Sequence, residues 1–296
     1  MAKDTFGRKL MKKSIYIVAE PLRRAHRTSR TTRVPLSPRL ASGAFSKVSR
    51  NIAIIGGGHM GTALVRGFLN AGIARRSIKI SDDARKNASV AESSDVIFIA
   101  VKPRVVREVL VQIRDAAEGK AVISLAAGVR IAEMRKIAGR RVHLGRGMPN
   151  IPVAERHGVV GFFGGTLTTP QRASARSILA KLGLLVEVRK ERELDALTLI
   201  SGCGPGIVAA LVEMVAKKAR SLGLRREADA LALHTFMGAI HHMAKTGTTA
   251  SELMRSVATK GGITEAILEG LRREGFEQRF ARAIDAGREK LESIKA

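Results

Sequence analysis

Tryptophan is absent and tyrosine occurs once, so the chain has almost no aromatic surface on which nucleobases can stack, and this argues against a single-strand nucleic-acid groove. Cysteine is represented by Cys203 alone. An internal disulfide is impossible, no Cys or His lies beside it at metal-ligand spacing, and no metal site is expected. A lone thiol suits a reducing compartment, so a cytoplasmic location is expected. The longest stretch free of charge, Ala196 to Val212, is short for a bilayer and is interrupted by Gly202, Gly204, Pro205 and Gly206; no membrane-spanning helix is expected. Acidic residues are scarce, 26 against 52 Lys and Arg, for a formal charge of +26. Such an excess brings anionic partners into consideration, nucleotides and small carboxylates as much as nucleic acid.

Part of that excess is local. Between Met1 and Arg50 there are 13 Lys and Arg against Asp4 and Glu20; elsewhere the basic residues are spread along segments that also carry Glu and Asp, as on a solvated surface. Residues 1–50 hold an Arg cluster (Arg23, Arg24, Arg27, Arg30, Arg33), many Ser and Thr, and Pro21, Pro35 and Pro38. No apolar period is sustained there, and a basic, disordered extension is expected. A transit segment, an arm for polyanions and a start codon read too far upstream all fit it, the last because Val48-Ser49-Arg50-Asn51 resembles the beginning of an enzyme whose first strand opens the chain.

The full chain's 296 residues and apolar content of 45% suffice for a buried core and suit two domains. Asn51 to Ile55 is a short apolar run followed at once by Gly56-Gly57-Gly58-His59-Met60-Gly61, and then by a stretch placing Ala63, Leu64, Gly67 and Phe68 on one helical face. Strand, glycine turn and helix in that order form a dinucleotide-binding fingerprint. Glycines at 56, 58 and 61 allow the tight turn, the approach of backbone N–H groups to a pyrophosphate and close packing of helix on strand. The helix N-terminus adds partial positive charge. His59, with no second ligand near, reads as a solvent-facing turn residue.

A second strand is expected at Ser77 to Ser81. Asp82 and Asp83 then fall roughly 20 residues after the glycines, where an acid holds a ribose hydroxyl and favours NAD; Arg85 and Lys86 follow and suit the 2′-phosphate of NADP. All four also fit a plain charged loop, and the cofactor remains NADPH or NADH. Asp95 to Val101 reads as a buried parallel strand ended by Lys102-Pro103. Val122 to Leu125 runs into Ala126-Ala127-Gly128, small residues beside which a flat ring can lie. After a strand at Val142 to Leu144, Arg146 to Pro152 reads as a rigid loop bracketed by prolines. The repeated strand–helix alternation predicts an α/β fold with a doubly wound, Rossmann-type parallel sheet over residues 51–190. From Glu191 on, helical periodicity replaces strand signals, with helices expected at Gly206 to Leu222, Glu227 to Lys245, Ser251 to Val257, Gly262 to Glu274 and Phe276 to Ser293, broken at Gly223, Gly247 and Gly275. Residues 191–296 thus form an all-α domain. His241 and His242 diverge by about 100° on a helix and cannot readily chelate one ion; Met237 and Met243 read as core filler.

Six segments occur in an order that resembles the pyrroline-5-carboxylate reductase family: Ile55 to Met60 (IGGGHM), Ala100 to Pro103 (AVKP), Ala126 to Gly128 (AAG), Met148 to Asn150 (MPN), Ser201 to Pro205 (SGCGP) and Thr259 to Thr264 (TKGGIT). The resemblance spans residue 50 to the C-terminus. It implies NAD(P)H-dependent reduction of 1-pyrroline-5-carboxylate to L-proline, with Ile55, Gly56, Gly57, Gly58, His59 and Met60 around the pyrophosphate and Asn87 near the adenosine ribose. It also implies Ala100, Val101, Lys102, Pro103, Ala126, Ala127 and Gly128 beside the nicotinamide, the substrate carboxylate on Gly261, Gly262, Ile263 and Thr264, and a homodimer or larger homo-oligomer built through the helical half.

The departures have consequences of their own. Only Asp82 to Lys86 separate the second strand from Asn87, where the family has a further helix and strand. The sheet is therefore expected to lack one edge helix and strand, with one wall of the adenosine pocket, and to bind cofactor weakly. Lys260, Ile263, Ile151 and Cys203 replace a proline, a small or hydroxyl residue, a threonine and a serine, which leaves open a different small cyclic imine as substrate, while the missing helix and strand leave open a nucleotide-binding regulatory protein without turnover. Hydride transfer to an imine that arrives protonated asks mainly for alignment. A glycine turn at a helix start can hold the acid, and Thr264, the one expected catalytic residue, can hydrogen-bond the imine nitrogen or the carboxylate.

Overall fold

The computed structural model describes residues 51–295, so the expectations for residues 1–50 lie outside the described part. The elements run β1 (Ile52–Ile55), α1 (His59–Asn70), β2 (Ile78–Ser81), α2 (Ala84–Glu92), β3 (Val96–Ile99), α3 (Val106–Ile113), β4 (Ala121–Ser124), α4 (Ile131–Ala138), β5 (His143–Pro149), β6 (Gly158–Phe163), α5 (Thr169–Leu179) and β7 (Gly183–Glu187). Helices follow: α6 (Glu193–Leu197), α7 (Gly204–Ser221), α8 (Ala228–Thr246), α9 (Ala250–Val257), α10 (Ile263–Arg273) and α11 (Phe276–Lys295).

The seven strands form one sheet in the order β2-β1-β3-β4-β5-β6-β7. Residues of β1, β3 and β4 alternate between two buried layers. Ile52, Ile54, Phe98 and Ile123 join Leu64 and Phe68 of α1 on one face, and Ala53, Ile55, Ile97, Ile99 and Val122 join α3 and α4 on the other. Burial on both faces explains why these strands read as unbroken apolar runs. As the short connection after β2 implies, β2 is the edge, with no strand beyond it among the described residues.

The sheet is parallel from β2 through β5 and then turns back. β5 pairs antiparallel with β6, Arg146 opposite Phe163 and Met148 opposite Gly161, and β7 runs parallel to β6. Two expectations change accordingly. Arg146 to Pro149 is strand rather than loop, because β6 supplies the partner for its backbone; only Ile151–Glu155, with Pro152, forms a separate short 3-10 turn. The strands β6 and β7 were not foreseen, since Gly158 and Gly161 dilute the local signal and their pairing is settled by neighbours distant in sequence.

The expected helical breaks hold: Gly223, Gly247 and Gly275 all have left-handed φ, 97°, 77° and 65°, a conformation that costs glycine little. The break expected around Gly202 does not occur. The chain passes from α6 through a π-helical turn, Thr198–Gly202, into α7 with Pro205 in its first turn, where the missing N–H costs nothing. The resulting run, Glu193–Ser221, is long and apolar enough to cross a membrane by length and composition, contrary to the expectation from the charge-free stretch alone. Little of the helical half is buried. Its buried apolar residues are Leu194, Leu291 and four alanines, Ala216, Ala219, Ala228 and Ala232, which let α7 and α8 pack as a close pair. Met237 is 54% exposed and not core.

Candidate active site at the carboxyl edge of the sheet

The strand registers align the motifs. Ser81, Ile55, Ile99, Ser124 and Arg146 are successive partners across β2, β1, β3, β4 and β5, so the segments that follow them emerge along one edge. In α/β sheets that edge is where ligands bind. The glycine turn, Ala100 to Pro103 and Ala126 to Gly128 are thus brought together by backbone pairing alone.

The turn has the form of an anion cradle. The Gly56 N–H donates to the Ser81 carbonyl at 2.8 Å, its φ is 115°, and a Cβ there would stand 2.6 Å from the Ala100 carbonyl oxygen. A Cβ on Gly61 would run into the Gly56 carbonyl, whereas around Gly58 the space is open. Two glycines are therefore required by packing, and the third leaves backbone accessible at the start of α1, where N–H groups and the helix dipole favour phosphate. A pyrophosphate fits this turn. Gly57 donates its N–H to Asp82 Oδ1 at 3.1 Å, and the Thr62 hydroxyl donates to the Gly57 carbonyl. His59 is exposed and Met60 half-buried against the core.

Asp82 to Lys86 is not a plain loop. Asp83 caps α2, accepting from the Arg85 N–H at 3.0 Å, and its carboxylate is gripped by the Arg85 guanidinium, which holds it below the usual carboxylate range. Asn87 is buried, accepting from the Ser81 hydroxyl at 2.7 Å and donating to Gln112 at 2.7 Å. Its side chain braces α2 against β2 and α3, which leaves little of it for a ligand.

Opposite the turn, Lys102 caps a short helical turn, Pro103–Val105, and is exposed. Ala100 and Val101 are half-buried, and Gly128 has a φ of 78°. A cleft of about 470 Å³ lies here between Lys102, Pro103, Arg104, Val129 and Ile294 of α11.

Sequence reasoning missed Arg146, which is 2% exposed. Its Nη1 meets Glu191 Oε1 at 3.1 Å and its Nη2 donates to the Ala126 carbonyl at 3.3 Å, while Glu191 also accepts from the Ile131 N–H at 2.8 Å. This ion pair, buried at Arg146 and half-buried at Glu191, joins the Ala126–Gly128 turn, the start of α4 and the first residue of the helical half. A charged residue inside an apolar strand was the available signal. Beside it, Asn150 Nδ2 donates to the Ser201 carbonyl at 3.1 Å and Asn150 Oδ1 accepts from Val159, so the fourth and fifth motifs also meet.

The sixth motif lies on the helical half. Gly261 has a φ of 72° and donates to Glu265 Oε2 at 2.6 Å, Gly262 is the N-cap of α10, Ile263 is 81% exposed and Thr264 is half-buried. This is a helix start whose Gly261 and Gly262 N–H groups are bonded within the loop, the latter to the Thr259 carbonyl at 2.8 Å. The helices around it carry wide apolar exposure, including Met214, Leu222, Leu233, Met237, Ile240, Val257, Ile267 and Phe280. Among the described residues there is no group of three His, Cys, Asp or Glu placed to hold a metal ion.

Residues 191–294 match the family model for pyrroline-5-carboxylate reductase dimerisation, and residues 51–128 match one described as NADP oxidoreductase, coenzyme F420-dependent. A pyrroline-5-carboxylate reductase of Corynebacterium melassecola is 31% identical over 265 residues, spanning 82% of this chain and 98% of its own. Pyrroline-5-carboxylate reductase 2 of Bacillus subtilis is 30% identical, spanning 83% and 95%. The structure of Plasmodium falciparum pyrroline carboxylate reductase with NADP bound superposes with a TM-score of 0.75 at 26% identity, covering 83% of this chain and 98% of that one. That of Coxiella burnetii pyrroline-5-carboxylate reductase gives 0.75 at 27% identity, covering 84% and 99%.

Proposed function

The chain belongs to the pyrroline-5-carboxylate reductase family, and on that premise we propose that it reduces 1-pyrroline-5-carboxylate to L-proline with NADPH or NADH, as a cytoplasmic homodimer or higher homo-oligomer. The observation that carries this reading is the single row of strand ends that sets the glycine turn, Ala100 to Pro103 and Ala126 to Gly128 along one edge.

When bound, the dihydronicotinamide supplies a hydride. The chain's part is placement. The turn Gly56-Gly57-Gly58 cradles the diphosphate against the open backbone at Gly58 and the start of α1, while the Gly56 and Gly57 N–H groups fasten the turn to Ser81 and Asp82, and Ile55, His59 and Met60 flank it. Ala100 to Pro103 and Ala126 to Gly128 wall the ring, the latter held by Arg146. The turn Gly261-Gly262-Ile263 sets the start of α10, with its dipole and its first-turn N–H groups, toward the substrate carboxylate, and Thr264 donates a hydrogen bond to that carboxylate or lies against the imine nitrogen. Water is excluded from the cleft by a second copy of the chain. The exposed apolar faces of α7 through α11 are too extensive for a free surface, and we read the run Glu193–Ser221 as a subunit interface rather than a membrane segment.

The test supplies purified protein with 1-pyrroline-5-carboxylate and follows both NAD(P)H absorbance and L-proline. Coupled loss of one and gain of the other supports the reading. Cofactor binding without proline formation defeats it. A second reading, a different small cyclic imine, is favoured by the exposed Ile263 on the carboxylate loop, and turnover confined to other imines would establish it.

A further inference from the structure

The end of β2 carries more information than the sequence allowed. Two acids and two bases follow it, and only their geometry distinguishes a residue facing the cofactor cradle from one facing away. Asp82 faces it: its carboxylate accepts the Gly57 N–H at 3.1 Å and is exposed beside the turn. Asp83 faces the other way. It caps α2 and binds both local cations, Arg85 through Nε at 3.2 Å and Nη2 at 3.1 Å, and Lys86 at 4.0 Å.

We propose that Asp82 makes this chain select a dinucleotide whose adenosine ribose has a free 2′-hydroxyl, NADH over NADPH. The inference rests on reading the glycine turn as a dinucleotide site. A carboxylate at the end of the second strand accepts a hydrogen bond from the ribose hydroxyl. A 2′-phosphate, with about two negative charges, would instead meet an anion of its own sign. The guanidinium that a 2′-phosphate requires is engaged by Asp83 in two hydrogen bonds. Because β2 is the sheet edge, no further strand brings another residue to that side among those described.

The test is direct titration of the full-length protein with NADH and with NADPH, by calorimetry or by nicotinamide fluorescence, with no substrate present. The expected result is NADH bound about tenfold or more tightly. Asp82→Asn, which keeps the shape and removes the charge, should bring the two dissociation constants within about threefold, mainly by tightening NADPH. Asp83→Ser, which retains a helix cap and releases Arg85, should tighten NADPH severalfold with little change in NADH. Tighter NADPH than NADH in the unaltered protein, or a selective loss of NADPH affinity in Arg85→Ala, would overturn the proposal while leaving the reductase reading intact. If neither cofactor binds, the dinucleotide reading itself falls and takes this inference with it.

Discussion

Residues 51–190 and 191–295 solve the burial problem in opposite ways. The sheet half closes on itself: Ile52, Ile54, Ile55, Phe68, Phe98 and Phe162 are fully buried, and both faces of the sheet are covered within one chain. The helical half buries mostly alanines and leaves Leu222, Leu233, Met237, Ile240, Ile267 and Phe280 at the surface. Helices form from local periodicity, but an apolar stripe gains nothing until something covers it. On the proposed function, the sheet half serves as the cofactor platform, and the helical half, which matches the family's dimerisation model, as the interface that a second copy covers.

The comparison breaks most visibly if the apolar face is charged. Leu233→Arg together with Met237→Glu should convert the oligomer to monomer and reduce turnover by about 100-fold or more, since central apolar anchors dominate interface energy. Light scattering coupled to gel filtration reads the mass, and cofactor titration should remain within about threefold because the cradle belongs to the other half. A double variant that remains an active dimer would show that α8 is not the interface.

The joint between the halves is the next point of attack. Glu191→Ala strands the buried Arg146 guanidinium and should destabilise the sheet half by about 3–5 kcal/mol in urea unfolding. Glu191→Gln retains an acceptor and should cost less. Equal stability of all three proteins would mean that the pair holds nothing together.

Thr264→Ala tests whether the helical half contributes chemistry or only cover. Turnover is expected to fall about 10- to 100-fold, or about 1.4–2.7 kcal/mol in the barrier, with an unaltered melting temperature. Unchanged kinetics would remove Thr264 from the mechanism.

The smallest effect concerns acid. Thr249 caps α9 and holds the Glu252 carboxyl below the usual carboxylate range through its backbone N–H and hydroxyl. A carboxyl with a depressed folded-state pKa contributes stability that is fully present above its unfolded value and is lost as pH falls through the folded value. Thr249→Ala should therefore flatten a slight acid-side loss of helicity, and identical acid titrations by circular dichroism would show that the cap carries no weight.

Much of the site was visible from residue order. The apolar run before Gly56, the small residues at 126–128 and the glycines at 223, 247 and 275 are local rules of backbone conformation and burial, and the structure follows them. Three assignments were not legible there. Arg146 to Pro149 has the proline and glycine of a loop, but β6 offers it hydrogen bonds, and long-range pairing outweighs local propensity. Gly202, Gly204 and Gly206 look like a break, but a π-helical turn carries the chain through them. Asn87 resembled a ribose contact and is enclosed by Ser81 and Gln112.

Sequence alone determined that the apolar runs of β1, β3 and β4 bury themselves as strands, where a glycine turn must open a helix, and that the second half would be helical and amphipathic, because those outcomes depend on side chains and dihedrals a few residues apart. The tertiary structure decided which strand ends share an edge, that Asp82 faces the glycine turn while Asp83 holds Arg85, and that Arg146 reaches Glu191. These depend on contacts between residues remote in the chain, whose free energy exists only once the backbone has brought them together.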